Sequence, residues 1–219
     1  MKKAAVPLLA ISGLMLAASP WIINNAPYES TMGLVQKIFY YHFPSAFLFL
    51  IGASTCGVHS LLFLWKGRRH NDAWALGAAE MTLVFGAITL VTGPLWARKA
   101  WGVWWVWDVR LTSSLLVWMT FGAYLMLRRF GGPGSEKLAA GMALFGMFNT
   151  PFIYVSVNIW RTLHPLTSVV PTLPVDMGVV LWYCFAALFM LFLGLMTMRA
   201  EMAKQEARIE DLFLAGDES

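Results

Sequence analysis

Six apolar runs, at residues 5–24, 44–65, 73–95, 112–130, 138–157 and 177–199, constrain this chain more than any other feature. At 1.5 Å rise per residue, about 20 residues cross the ~30 Å hydrocarbon core of a bilayer. Inside that core every backbone N–H and C=O must be satisfied internally, so a lone run of this length has to be a helix. The predicted fold class is an all-α integral membrane protein with six transmembrane helices. A soluble domain is excluded, because 58% of the 219 residues are hydrophobic and only 13% are charged.

An even number of crossings returns both termini to one side, and the basic residues select which side. Lys2, Lys3, Lys66, Arg68, Arg69, Arg128, Arg129, Lys137, Arg199, Lys204 and Arg208 fall on the terminal side. Only Lys37, Arg98, Lys99, Arg110 and Arg161 fall on the other. The termini are therefore expected in the cytoplasm and the connection between spans three and four outside. The first run also has features of a signal peptide, with Lys2 and Lys3 before it and small residues at Ala17 to Ser19. It continues through Trp21, Ile22 and Ile23 without a polar break, and is read as a retained span.

The net charge of +4 suits a cytoplasmic rim facing anionic lipid and gives no argument for nucleic acid. Cys56 and Cys184 lie inside spans and read as packing residues. The absence of C-x-x-C-H, of a Walker A motif and of G-x-S-x-G argues against a c-type cytochrome, an ATPase and a serine hydrolase. Residues 1–219 read as one six-span domain with an external segment at 96–111 and a charged cytoplasmic tail at 200–219.

That segment contains W-G-V-W-W-V-W-D-V-R-L-T-S, from Trp101 to Ser113. As a helix it would set Trp101, Trp104, Trp105 and Asp108 on one face, at i, i+3, i+4 and i+7. Such a face suits a large planar apolar ligand, since indole rings offer broad stacking area. Tryptophans also collect at membrane interfaces as anchors, and composition does not separate the two readings. His42, in F-Y-Y-H-F-P-S-A, is expected at the outer interface, with Pro44 in the first turn of span two. His164, before Pro165, is expected on the loop between spans five and six. Each alone reads as an interfacial polar residue. Together, flanking the tryptophans, they are what a six-coordinate haem iron requires.

Arg98, Lys99, Arg110 and Arg161 are cations on the same side, able to pair with haem propionates; Arg110 is also close enough in sequence to pair with Asp108. Within the bilayer, His59 and Glu80 are expected to face each other in a structural hydrogen bond between spans two and three. A cytoplasmic-side haem or proton role is the lesser alternative. His70 reads as a solvated loop residue.

The Trp101–Ser113 stretch is similar to the tryptophan-rich WWD signature of haem-handling membrane proteins, and the chain most resembles the CcmC family of cytochrome c maturation. The six-span length, the F-Y-Y-H-F-P-S-A motif and the H-P loop agree with it, and the resemblance covers essentially the whole chain. Larger WWD relatives carry many more spans. The resemblance implies that Trp101, Trp104, Trp105, Trp107 and Asp108 form a haem platform and that His42 and His164 are axial ligands. It further implies a protein of the bacterial inner membrane that presents haem b outside and passes it to a membrane-anchored periplasmic haem chaperone. ABC transporter subunits and a small single-span protein would be its partners. It would be a transfer protein rather than an enzyme, at most assisting covalent haem attachment. Two other readings are a membrane electron-transfer cytochrome that keeps its haem, and a transporter or scaffold subunit with an interfacial Trp anchor.

Overall fold

A computed structural model describes residues 2–160 and 162–217; Arg161 lies outside them. The chain forms helices α1 (Lys2–Asn25), α2 (Phe39–Lys66), α3 (Arg69–Trp101), α4 (Val109–Phe130), α5 (Ser135–Ile159) and α6 (Val175–Asp217). Two short 3-10 turns, Leu34–Ile38 and Thr167–Thr172, precede α2 and α6. Each of the six helices is long and apolar enough to cross a membrane. The fold is the all-helical, six-span membrane architecture that the hydropathy demands.

Helix α2 lies at the centre, packed on α3, α5 and α6, while α1 lies along α6 and α4 along α3 and α5. One cluster of buried residues joins Leu48, Phe49, Phe85, Val117, Phe121 and Phe192 across four helices. A second, around Phe39, Tyr40, Trp96, Leu181 and Cys184, closes the end that carries the Trp-rich segment. Both cysteines are buried and unpaired. In lipid, apolar side chains gain little by leaving their surroundings for another helix, so close contact of small residues becomes the main adhesive. Gly57 shows this, because a Cβ there would lie 2.3 Å from Met147 Cβ on α5. Gly57→Val is expected to push α2 from α5 and cost about 1–3 kcal/mol. Gly141, with open space around it, is the control: thermal unfolding in detergent should fall for Gly57→Val and not for Gly141→Val.

The end carrying the termini is held by ion pairs. Arg128 on α4 meets Asp72 on α3 at 2.6 Å, and Arg199 on α6 meets Glu80 on α3 at 2.7 Å. The second pair overturns the expected His59–Glu80 hydrogen bond. His59 instead stacks on Trp74 of α3, with ring centres 5.9 Å apart and planes within 18°. Trp74 and Glu80 are six residues apart, about 120° around the helix, so they cannot both face α2. Glu80 turns to α6. His70 is exposed, with its ring edge toward Trp74.

Candidate functional site: a histidine pair in a tryptophan-walled cavity

The Trp-rich segment is not a helix. Gly102 takes φ 79, the left-handed conformation that glycine adopts most cheaply, and ends α3 immediately after Trp101. Asp108 then starts α4, its carboxylate accepting the Leu111 N–H at 2.7 Å as an N-cap. Between the two, residues 102–108 run as irregular chain. The expected i, i+3, i+4, i+7 platform therefore does not form. The rings instead wall a cavity. Arg98 holds the turn by donating to the Gly102 carbonyl, with its guanidinium over the Trp104 ring.

This cavity, open at its mouth, lies between α2, α3, α4, α5 and the loop after α5. Apolar and aromatic side chains with a few convergent polar groups make up its lining, as in ligand sites generally. Trp101, Trp104, Trp105, Asp108, Arg110, His42 and His164 all line it. Trp107 does not; it is 75% exposed and makes a T-shaped ring contact with Trp105. Lys99 is exposed and likewise outside the lining.

The two histidines come from elements more than 100 residues apart in the chain, yet their ring centres are 6.5 Å apart. Two imidazoles on opposite sides of one metal atom, at the usual metal–nitrogen length of about 2.0–2.1 Å, have ring centres about 6 Å apart. His42 lies inside α2 rather than ahead of it, because the helix begins at Phe39 and Pro44 is its sixth residue. It is buried, with the Trp96 ring edge against it at 5.7 Å. Trp96 stacks in turn on Trp101, with 6.2 Å between centres, and donates its N–H to the Met32 sulfur. His164 sits on the irregular chain after α5, as its place before a proline suggested.

Hydrogen-bond partners fix the tautomer of each ring. Thr92 Oγ1 donates to the Ile88 carbonyl at 2.7 Å, so at its 2.9 Å contact with His42 the ring Nδ1–H donates. His164 Nδ1–H donates to the Pro165 carbonyl, also at 2.9 Å. Both Nε2 atoms are left as lone-pair donors to a metal, the usual arrangement in which the second ring nitrogen orients a ligating histidine. Burial, and after it the Arg110 guanidinium, pushes the His164 pKa down to about 4, which keeps the imidazole in its ligating neutral form at pH 7.

Arg110 lies in the first turn of α4, where its carbonyl accepts the Ser113 and Ser114 hydroxyls. The Asp108 carboxylate, which accepts the Leu111 N–H and the Thr162 hydroxyl, attracts its charge without a direct ion pair among the described residues. Trp105 Nε1 is buried with no acceptor. The cavity thus offers two imidazole lone pairs, a cation, an orphaned N–H donor and an apolar aromatic wall. A flat metal macrocycle bearing carboxylates fits that donor set.

Thr92, Trp96, Met32 and Thr162 were not singled out from the sequence. Thr92 and Trp96 were the most accessible, being four apart and hence on one face of a helix. The other two reach the site through loops.

A family model described as Heme exporter protein C matches residues 1–212. The chain is 36% identical to Heme exporter protein C of Escherichia coli K12 over 164 residues, 73% of this chain and 66% of that protein. Heme exporter protein C of Bradyrhizobium diazoefficiens is 34% identical over 74% of this chain and 62% of its own length. The Haemophilus influenzae protein of that name is 29% identical over 92% of this chain and 86% of its own length.

Proposed function

Because this chain belongs to the haem exporter protein C family, whose business is haem handling for cytochrome c maturation, we propose that it holds haem b in the tryptophan-walled cavity, with His42 and His164 on the iron, and delivers it outward. The observation that carries this reading is the histidine pair, 6.5 Å between ring centres in a tryptophan-lined cavity. In this reading the chain lies in the bacterial inner membrane with its termini in the cytoplasm, and the cavity opens to the periplasm. The receiver is a membrane-anchored periplasmic haem chaperone. The ABC transporter subunits and a small single-span protein of the same pathway assemble with it. It is a transfer protein, and any covalent bond made to haem belongs to the partner's chemistry.

The physical logic is capture followed by release. Trp101, Trp104 and Trp105 stack on or edge the macrocycle, each aromatic pair adding about 0.5–1.5 kcal/mol beyond burial. Arg110 and the Trp105 N–H receive propionate oxygens. The two ligands differ in rigidity. His42 is fixed in α2 and bonded to α3 through Thr92, whereas His164 rides on irregular chain between exposed Leu163 and Leu166. His164 is therefore the ligand that leaves when cargo passes to the receiver. The exposed Trp107, in ring contact with the cavity-lining Trp105, is offered to the receiver.

Purified protein from haem-replete cells is expected to show a low-spin haem spectrum that is absent from the His42→Ala, His164→Ala double variant. Colourless protein that takes up no added haem would overturn the reading. Loading of a purified haem chaperone, with loss of colour from this protein, separates delivered cargo from a resident redox haem. Trp105→Phe keeps the ring and removes the orphaned N–H. Haem titration is expected to show affinity lowered by about 1.5 kcal/mol, the lower range for a hydrogen bond to a charged group. Trp182→Phe, on an α6 ring outside the cavity, should leave affinity unchanged.

A further inference from the structure

We propose that Asp108 and Thr162 form a latch that positions His164, so that the aspartate of the Trp-rich motif acts through the histidine loop. The functional consequence rests on the reading of His164 as an iron ligand; the latch itself rests on three hydrogen bonds. Asp108 Oδ1 accepts the Leu111 N–H at 2.7 Å and caps α4. Its other oxygen accepts the Thr162 hydroxyl, across 54 residues of sequence. The Thr162 oxygen then accepts the His164 backbone N–H at 3.2 Å.

Each bond prepares the next. The Thr162 proton is committed to a carboxylate, the stronger kind of acceptor. The hydroxyl oxygen is left to receive the His164 N–H, and donation in series polarises the chain. Other features of the loop make this bridge matter. Pro165 restricts the His164 backbone, and the Pro165 carbonyl holds the His164 ring. The backbone N–H is the remaining freedom, and the latch removes it. Farther along, an Asn158–Thr167 side-chain bridge ties the 3-10 turn back to the end of α5. The Asp108–Thr162 bridge instead ties the loop to the Trp-rich segment. Asp108 touches the cavity wall, but both its oxygens are spent on protein donors. It is a positioning residue.

The aspartate's two jobs can be separated. Serine is as good an N-cap as aspartate, but it has one oxygen on a shorter side chain, so Asp108→Ser cannot both cap α4 and reach Thr162. Thr162→Val removes the hydroxyl with little change of shape, and Thr162→Ser keeps it. In haem-free protein, hydrogen exchange of residues 160–166 followed by mass spectrometry is expected to quicken at least tenfold at the His164 amide in Asp108→Ser and in Thr162→Val. Thr162→Ser should match the unaltered protein. In haem-loaded protein the same two variants should lose a large part of the low-spin signal and regain it with added imidazole. The double variant should be no worse than either single, because both cut one bridge.

Unchanged exchange in both variants overturns the latch, as does a fully additive double variant. If exchange quickens while His164→Ala keeps an unaltered haem spectrum, the latch stands and the iron-ligand assignment falls.

Discussion

His42→Ala is expected to abolish stoichiometric haem retention, whereas His164→Ala should leave a weaker-bound haem that has lost its low-spin spectrum. The asymmetry follows from how the two rings are held. His42 is 8% exposed and locked between α2 and α3 by the Thr92 hydroxyl and the Trp96 ring. Its loss removes a preorganised ligand with no neighbour able to replace it. His164 lies on a loop, and water or added imidazole can take its place on the iron. Changes in the shell around metal ligands typically cost 10–100-fold in affinity, so loss of His42 itself should cost on the order of 100-fold. Haem titration with absorption and electron paramagnetic resonance spectra reads both effects. Identical spectra and affinities in the two single variants would sink the proposed division between a fixed and a releasing ligand.

The largest stability effect is expected at the opposite end of the molecule. Asp72 stands in the first turn of α3 and Arg128 in the last turn of α4, so each charge opposes the partial charge of its own helix end. They meet at 2.6 Å with side chains only 17% and 15% exposed. Glu136, at 3.9 Å from the Arg128 Nη1, is a second, longer and more exposed partner. Asp72→Ala would leave a mostly desolvated guanidinium with that weak partner alone, a change worth about 3 kcal/mol at the lower end for broken buried pairs. Removing both charges, in Asp72→Ala with Arg128→Met, should recover most of that loss, because the penalty lies in the stranded charge. Thermal unfolding of the three proteins checks this. The double variant unfolding as early as Asp72→Ala would show that packing, not charge, holds the rim. Haem spectra of all three should coincide, since the pair is remote from the cavity.

The chemistry of the site was more legible in the sequence than its shape. His42, His164, Arg110 and three of the tryptophans could be picked out by residue type and by their place between spans, and the structure brings all of them to one cavity. The one-face platform holds only if that Trp-rich stretch is helical, and residues 102–108 are not. Two local signals would have shown this, the glycine after Trp101 and the aspartate capping α4, because together they mark the end of one helix and the start of the next. The His59–Glu80 pairing failed for another reason. Depth in the bilayer can be counted along a sequence, but the direction a side chain faces depends on which helix lies beside it. The helix of Glu80 packs against α2, α4 and α6, and Arg199 stands on α6.

The six helices follow from the order of residues alone, because hydrocarbon leaves an apolar run of that length one way to satisfy its backbone. So does the inventory of donors, cations and rings at the Trp-rich end. Helix packing was needed to bring His42 and His164 into one cavity, to leave Trp107 outside it, and to let Asp108 reach Thr162. Those outcomes depend on contacts between residues tens to more than a hundred positions apart. Local periodicity carries no information about such contacts until the helices have packed.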